Sequence, residues 1–118
     1  MCIRDRALSG EDNQDGLVLL LDFGRARALL LADVPESVEK KLAVDPVEIL
    51  KVSHHGSRTG TSEALLERAR PRVALIGVGA NPFGHPHPEV LKRLKAHGVQ
   101  VARTDRMGAV RVLFGYAW

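Results

Sequence analysis

Leu50-Lys51-Val52-Ser53-His54-His55-Gly56-Ser57 is the stretch on which the fold turns. It opens as a short apolar strand and ends in two histidines, a glycine and a serine. A strand brings a rigid backbone to one edge of a sheet, where side chains can be aimed at a metal or a phosphate. Gly56 allows a sharp turn or the close approach of a ligand. A lone histidine in such a place is usually structural or merely exposed. Two adjacent histidines followed by Gly-Ser shift the balance toward a site.

On both sides of this stretch, strand-like and helix-like pieces alternate. Residues 17–22 and 27–32 are apolar runs separated by a short Gly-containing turn, which predicts a hairpin. Pro35 opens a short amphipathic helix over residues 36–43, with Val38 and Leu42 four apart, and Pro46 ends it. Residues 47–52 form the strand that leads into the histidines. Thr61-Ser62-Glu63 marks a helix start, with the helix running to about Ala69. Next come a strand over 73–78, a Pro- and Gly-rich loop over 79–88 and a helix over 89–97, with Gly98 as its C-cap. Strands over 99–104 and 109–114, joined by a turn at 105–108, complete the order β-β-α-β-α-β-α-β-β. This pattern predicts an α/β domain with a mixed, largely buried sheet and flanking helices. The apolar opening hairpin has nothing to cover its edge, so either further sequence covers it or the chain is a piece of a larger domain.

The chain has 118 residues, enough for one domain with a real core. Apolar residues make up 45 % and aromatics only 4 %, so the core is built from Leu, Val, Ile and Ala. Seventeen basic and 14 acidic residues give a net charge of +3, compatible with a polyanionic partner without requiring one. The arginines at 25, 27, 68, 70 and 72 read as solvated surface. One cysteine, Cys2, excludes an internal disulfide and a Cys-based zinc site. No apolar run reaches the ~18 residues of a membrane span. The opening Met1-Cys2-Ile3-Arg4-Asp5-Arg6 has neither a signal-peptide pattern nor continuity with the rest of the chain. Residues 1–12 therefore read as a non-native or disordered start, and residues 13–118 carry the domain.

Three places hold residue types suited to chemistry. Asp33 leaves the second apolar strand, where it can be a metal ligand, a general base or simply a helix N-cap. His54 and His55 are imidazole donors of the kind zinc and manganese take. Neighbours on a strand point to opposite faces, so in a regular strand one would meet a metal and the other would support it. In Gly84-His85-Pro86-His87-Pro88 the prolines stiffen the loop, which would put His85 and His87 on one side of an extended chain. The alternative is a histidine at a helix N-terminus with no chemical role. Ser57, Thr59, Thr61 and Ser62 offer hydroxyls that are ordinary loop and cap groups in most settings. Because all three clusters follow apolar strands, one shared site at the sheet's C-terminal edge is expected.

Through these residues the sequence resembles the metallo-β-lactamase fold, and more closely the metallo-β-lactamase-like C-terminal domain of ComEC-type DNA internalisation proteins. Leu29-Leu30-Leu31-Ala32-Asp33-Val34, the stretch from Leu50 to Thr59, Val73 to Gly79 with Asn81, Gly84 to Val90 with Leu94, and Val101 to Asp105 with Gly108-Ala109-Val110 carry the resemblance. It covers roughly residues 13–113. It implies an αββα sandwich with one or two divalent ions, zinc or manganese, between its sheets. Asp33 falls where the family's bridging aspartate stands, with Ala32 in place of the usual glycine. The family's final histidine ligand falls in His54-His55, with His55, the one followed by Gly, preferred. His85 resembles the loop histidine near substrate, and His85 or His87 would steady the phosphate or leaving group. Ser57 and Arg58 would contact backbone phosphates. One departure is large: the family's N-terminal half supplies a His-x-(His/Asp)-x-Asp-His cluster, and here every histidine lies at position 54 or later. The chain is therefore expected to be half of such a sandwich.

The implied function is a fragment of a metal-dependent hydrolase, a nuclease acting on single-stranded DNA in natural transformation. It would belong to a soluble domain on the extracytoplasmic side of a membrane protein, partnered by its N-terminal half-domain and a channel region. The alternatives are another hydrolase of this fold, acting on small esters, lactones or phosphodiesters, and a non-catalytic remnant. Two or three ligands do not make a complete centre, so the chain alone is expected to be inactive.

Overall fold

The computed structural model describes residues 2–7, 17–22, 24, 26–34 and 36–112. Six strands form one mixed sheet in the order of the chain: β1 (Cys2–Ala7), β2 (Leu17–Asp22), β3 (Arg27–Leu31), β4 (Ile49–Lys51), β5 (Val73–Ile76) and β6 (Gln100–Arg103). β1, β2 and β3 are antiparallel, and β3 to β6 are parallel. Helices α1 (Glu36–Glu39), α2 (Glu63–Ala69) and α3 (Pro88–Ala96) lie in the connections between the parallel strands, and α4 (Thr104–Met107) follows β6. The mixed sheet with helical connections agrees with expectation.

The differences are local. Cys2–Ala7, left out of the expected fold, pairs with all of β2, from Cys2 opposite Asp22 to Ala7 opposite Leu17. The β2 edge is thus covered within the chain. Residues 105–108 were expected as a turn, and most of them lie in the single helical turn of α4. Residues 109–112 are not strand, and the remainder of the expected last strand lies outside the described residues. The helix expected over 36–43 is α-helical only to Glu39 and continues as a turn, closed by Leu42 N–H donating to Glu39 O.

The two faces of the sheet differ. Across one face run the register partners Leu20, Leu29, Leu50, Ala74 and Val101. Leu29, Leu50 and Ala74 are buried there in one cluster with Val38 of α1, Leu65, Leu66 and Ala69 of α2, and Val90 and Leu94 of α3. Across the other face run Leu19, Leu30, Lys51 and Leu75, half-buried, and then Ala102, which is buried, as are Ala28 and Ile49 of the same face. Every buried apolar residue of the described helices belongs to the first face, so the second carries partly exposed leucine. Period-two alternation makes this division automatic once the register is set.

Candidate functional site

The C-terminal ends of β3, β4 and β5 lie side by side, because those strands are parallel neighbours. Asp33 follows β3, the two histidines follow β4, and the loop that carries His85 follows β5. The three clusters therefore share one edge of the sheet, as expected for an open parallel arrangement.

At the centre the chain does something that strand geometry does not. After β4, Ser53–Gly56 makes a tight 3₁₀-type turn with three successive residues in left-handed backbone: His54 (φ 46°), His55 (φ 54°) and Gly56 (φ 81°). Non-glycine residues hold this conformation at a cost of order 1 kcal/mol or more each, and only where their surroundings over-determine it. The surroundings here are explicit. His54 N–H donates to Ala32 O (2.9 Å), Ser57 N–H to His54 O (2.9 Å) and His87 N–H to Gly56 O (2.8 Å). Gly56 sits against Pro86 so closely that a β-carbon on it would lie 2.6 Å from the proline Cβ. Both the positive φ and this contact demand glycine. Because the backbone turns rather than extends, strict two-face alternation does not hold for His54 and His55; their rings stand edge-on, 6.4 Å apart.

His55 is exposed, and its Nδ1 lies 2.5 Å from Gly77 O. A carbonyl only accepts, so Nδ1 carries the proton, and Nε2 of the neutral ring is left with a free lone pair. That is the arrangement by which proteins fix the tautomer of a metal-ligating imidazole. The His54 ring meets the His85 ring edge-on at 5.5 Å. Desolvation first, and then the neighbouring imidazoles of His54, His55 and His87, hold His85 below the ordinary imidazole value. Asp33 is exposed at the same edge.

The other expected residues have local duties. His87 is the N-cap of α3, its Nδ1 accepting from Glu89 N–H (3.1 Å), so the structure groups His85, rather than His87, with His54. The Ser57 hydroxyl is bonded to Thr59 Oγ1 (3.0 Å) and accepts from Thr59 N–H (3.3 Å). Arg58 is exposed beside it. Among the described residues, no three His, Cys, Asp or Glu side chains converge as a metal-binding group. The side chains present, imidazole and carboxylate, are of the kinds that divalent ions take.

Several contributors were not visible from residue type. Asn81 organises the His85 loop: its Oδ1 accepts from Phe83 N–H (3.0 Å) and His85 N–H (3.0 Å), and its Nδ2 donates to Gly79 O (3.0 Å) and His85 O (2.9 Å). Glu39 has no exposed surface, and both its oxygens lie 2.7 Å from Thr61 N. Burial pushes its carboxyl up to about 7, against the opposing effect of hydrogen bonds from the Thr61 and Ser62 amides. Arg93 holds the same segment from outside, Nη1 donating to Thr61 O (2.5 Å). A β-carbon on Gly60 would overlap the buried Ser53 hydroxyl, which has no partner of its own among the described residues. Glu39, Gly60 and Arg93 thus fix the segment that leaves the histidine turn.

No protein-family model matches the chain. It is 41 % identical over 106 residues to Recombination protein 2 of Haemophilus influenzae, covering 87 % of this chain and 14 % of that protein. It is 35 % identical over 104 residues to ComE operon protein 3 of Bacillus subtilis, covering 84 % and 13 %. To Competence protein ComA of Neisseria gonorrhoeae it is 32 % identical over 111 residues, covering 89 % and 16 %. The chain spans about one seventh of the length of the first of these relatives. Over most of its own length it is thus similar to one segment of each of these longer bacterial proteins.

Proposed function

We propose that this chain is the C-terminal half of a metallo-β-lactamase-type αββα sandwich, and that the whole domain is a metal-dependent nuclease of a DNA-uptake protein in natural transformation. The observation that carries the reading is the left-handed His54-His55-Gly56 turn, with His55 Nδ1 committed to Gly77 O and Nε2 free at the edge shared with Asp33. A backbone strained in this way, with its tautomer fixed, suits a ligand better than it suits a surface loop. The half-buried row Leu19, Leu30, Lys51 and Leu75 supports the half-sandwich part, since a second sheet would cover it. The competence-protein relatives, each several times longer than this chain, support the biological setting and the presence of further polypeptide.

In this reading His55 Nε2 and Asp33 are donors to a divalent ion, zinc or manganese, with His54 beside them. Such an ion, when bound, polarises a phosphoryl oxygen and acidifies water. His85, held below the ordinary imidazole value by desolvation and the neighbouring imidazoles, can donate a hydrogen bond to a phosphate oxygen or leaving group. Arg58 can pair with a neighbouring phosphate. His87 holds α3 and, through its amide, the histidine turn. The domain would sit outside the cytoplasmic membrane, attached to a channel region elsewhere in the protein. Among the described residues, no helix is long and apolar enough to cross a membrane.

Calorimetric titration of the chain with Mn²⁺ or Zn²⁺ tests the reading. Weak binding, lost in His55→Ala and in Asp33→Ala, is expected, with little strand cleavage. Tight stoichiometric binding by the chain alone would overturn the half-site, and wild-type binding by His55→Ala would remove His55 as a ligand.

A further inference from the structure

Phe83 is 73 % exposed, far more than an aromatic ring normally tolerates. Its loop is nevertheless held firmly. The Asn81 side chain makes four hydrogen bonds, one of them accepted from the amide of Phe83 itself. The loop therefore presents the ring to solvent in a fixed place. The ring lies 5.7 Å from the His85 ring at a tilt of 35°, and His85 in turn lies 5.5 Å from His54. Three rings lead from open solvent to the histidine turn.

We infer that Phe83 is a stacking platform for a nucleobase of a single strand whose phosphates engage the histidine edge. This rests on the DNA reading above and deepens it by naming the base as a recognised part. A protein partner would need a contiguous apolar patch. Phe83 instead stands among Asn81, Gly84 and His85, and the other large exposed hydrophobic of the described residues, Met107, is on α4. An exposed aromatic next to imidazoles, with an exposed arginine, Arg58, elsewhere at the loops of the same edge, offers what single-strand sites use: a flat face for the base and polar and cationic groups for the backbone. Its sequence tolerance also suits uptake of arbitrary DNA, because every base has a π-face. A small ester bound at the histidines would leave Phe83 unused.

The test measures fluorescence anisotropy of a short labelled oligodeoxynucleotide and of an abasic strand with the same number of phosphates, each titrated with the 118-residue chain. Wild type should bind the base-bearing strand about tenfold more tightly than the abasic one. Phe83→Ala should lose most of that preference while keeping its affinity for the abasic strand, and Phe83→Trp should retain the preference. As an exposed residue, Phe83 can be replaced without loss of the fold, and the wild-type comparison of the two strands stands without any variant. Equal wild-type binding of both strands, or an unchanged preference in Phe83→Ala, overturns the stacking role and leaves the DNA reading intact. Binding of neither strand overturns both.

Discussion

Glu39 shows how far one residue can depart from what its type suggests. Beside Val38 in a short amphipathic helix, it reads as a solvated charge, yet it has no exposed surface and ties down the Thr61 amide. An acid raised from 4.5 to about 7 on folding binds its proton more tightly in the folded state. Its contribution to stability is therefore fully present below about pH 4.5 and is lost as pH rises through about 7, a change on the order of 3 kcal/mol. Urea unfolding from about pH 4.5 to 8 should show this decline, and Glu39→Gln should flatten it; a wild-type profile with no slope across that range would contradict the assignment. His54, His55, His85 and Asp33 were legible as a group because each follows an apolar strand, and the parallel order of those strands brings their ends to one edge. Glu39 was not, since its importance depends on a backbone amide 22 residues away, and Asn81 entered only through the resemblance, without the loop hydrogen bonds it makes.

At the scale of elements, the apolar runs announced β2 to β6 to within a few residues, because continuous Leu, Val and Ile over so short a span has nowhere to go but a buried strand. α2 was equally clear: Ser62 caps it, accepting from Leu65 N–H at 3.1 Å. β1 was missed because its alternating charges carry no apolar face, and its pairing comes from β2. α3 gives one histidine of the loop a local role. Since His87 Nδ1 caps the helix, its side chain has a structural duty separable from chemistry. His87→Ala should lower stability by about 1 kcal/mol, while His87→Asn, another capping residue, should keep it within about 0.5 kcal/mol. Denaturant midpoints of the two variants check this; equal losses would mean the cap is not what His87 supplies.

For the molecule as a whole, the helices among the described residues pack on one face of the sheet, and the other face keeps a row of half-buried side chains. Leu50, fully buried among the helices, should cost about 2–5 kcal/mol when cut to alanine. Leu30, half-buried on the other face, should cost about 1 kcal/mol in the chain by itself. Chemical unfolding of both variants measures the asymmetry, and a Leu30 cost equal to that of Leu50 would mean that the second face is already packed. The mixed sheet was readable from the order of strands and helices. The unequal faces were not, because near-continuous leucine runs look the same whether one side or both are covered.

The strand order, identical to the chain order, bears on how the protein is made. Each strand after the first meets a partner already synthesised, so the sheet can grow as the polypeptide leaves the ribosome. The histidine turn cannot keep pace with it. His55 waits for a carbonyl 22 residues downstream, and Gly56 waits for the His87 amide farther on. The turn thus takes its final form only after β5 and the start of α3 are made, and a nascent chain stalled before Gly77 would carry β1 to β5 without the hydrogen bond that fixes His55.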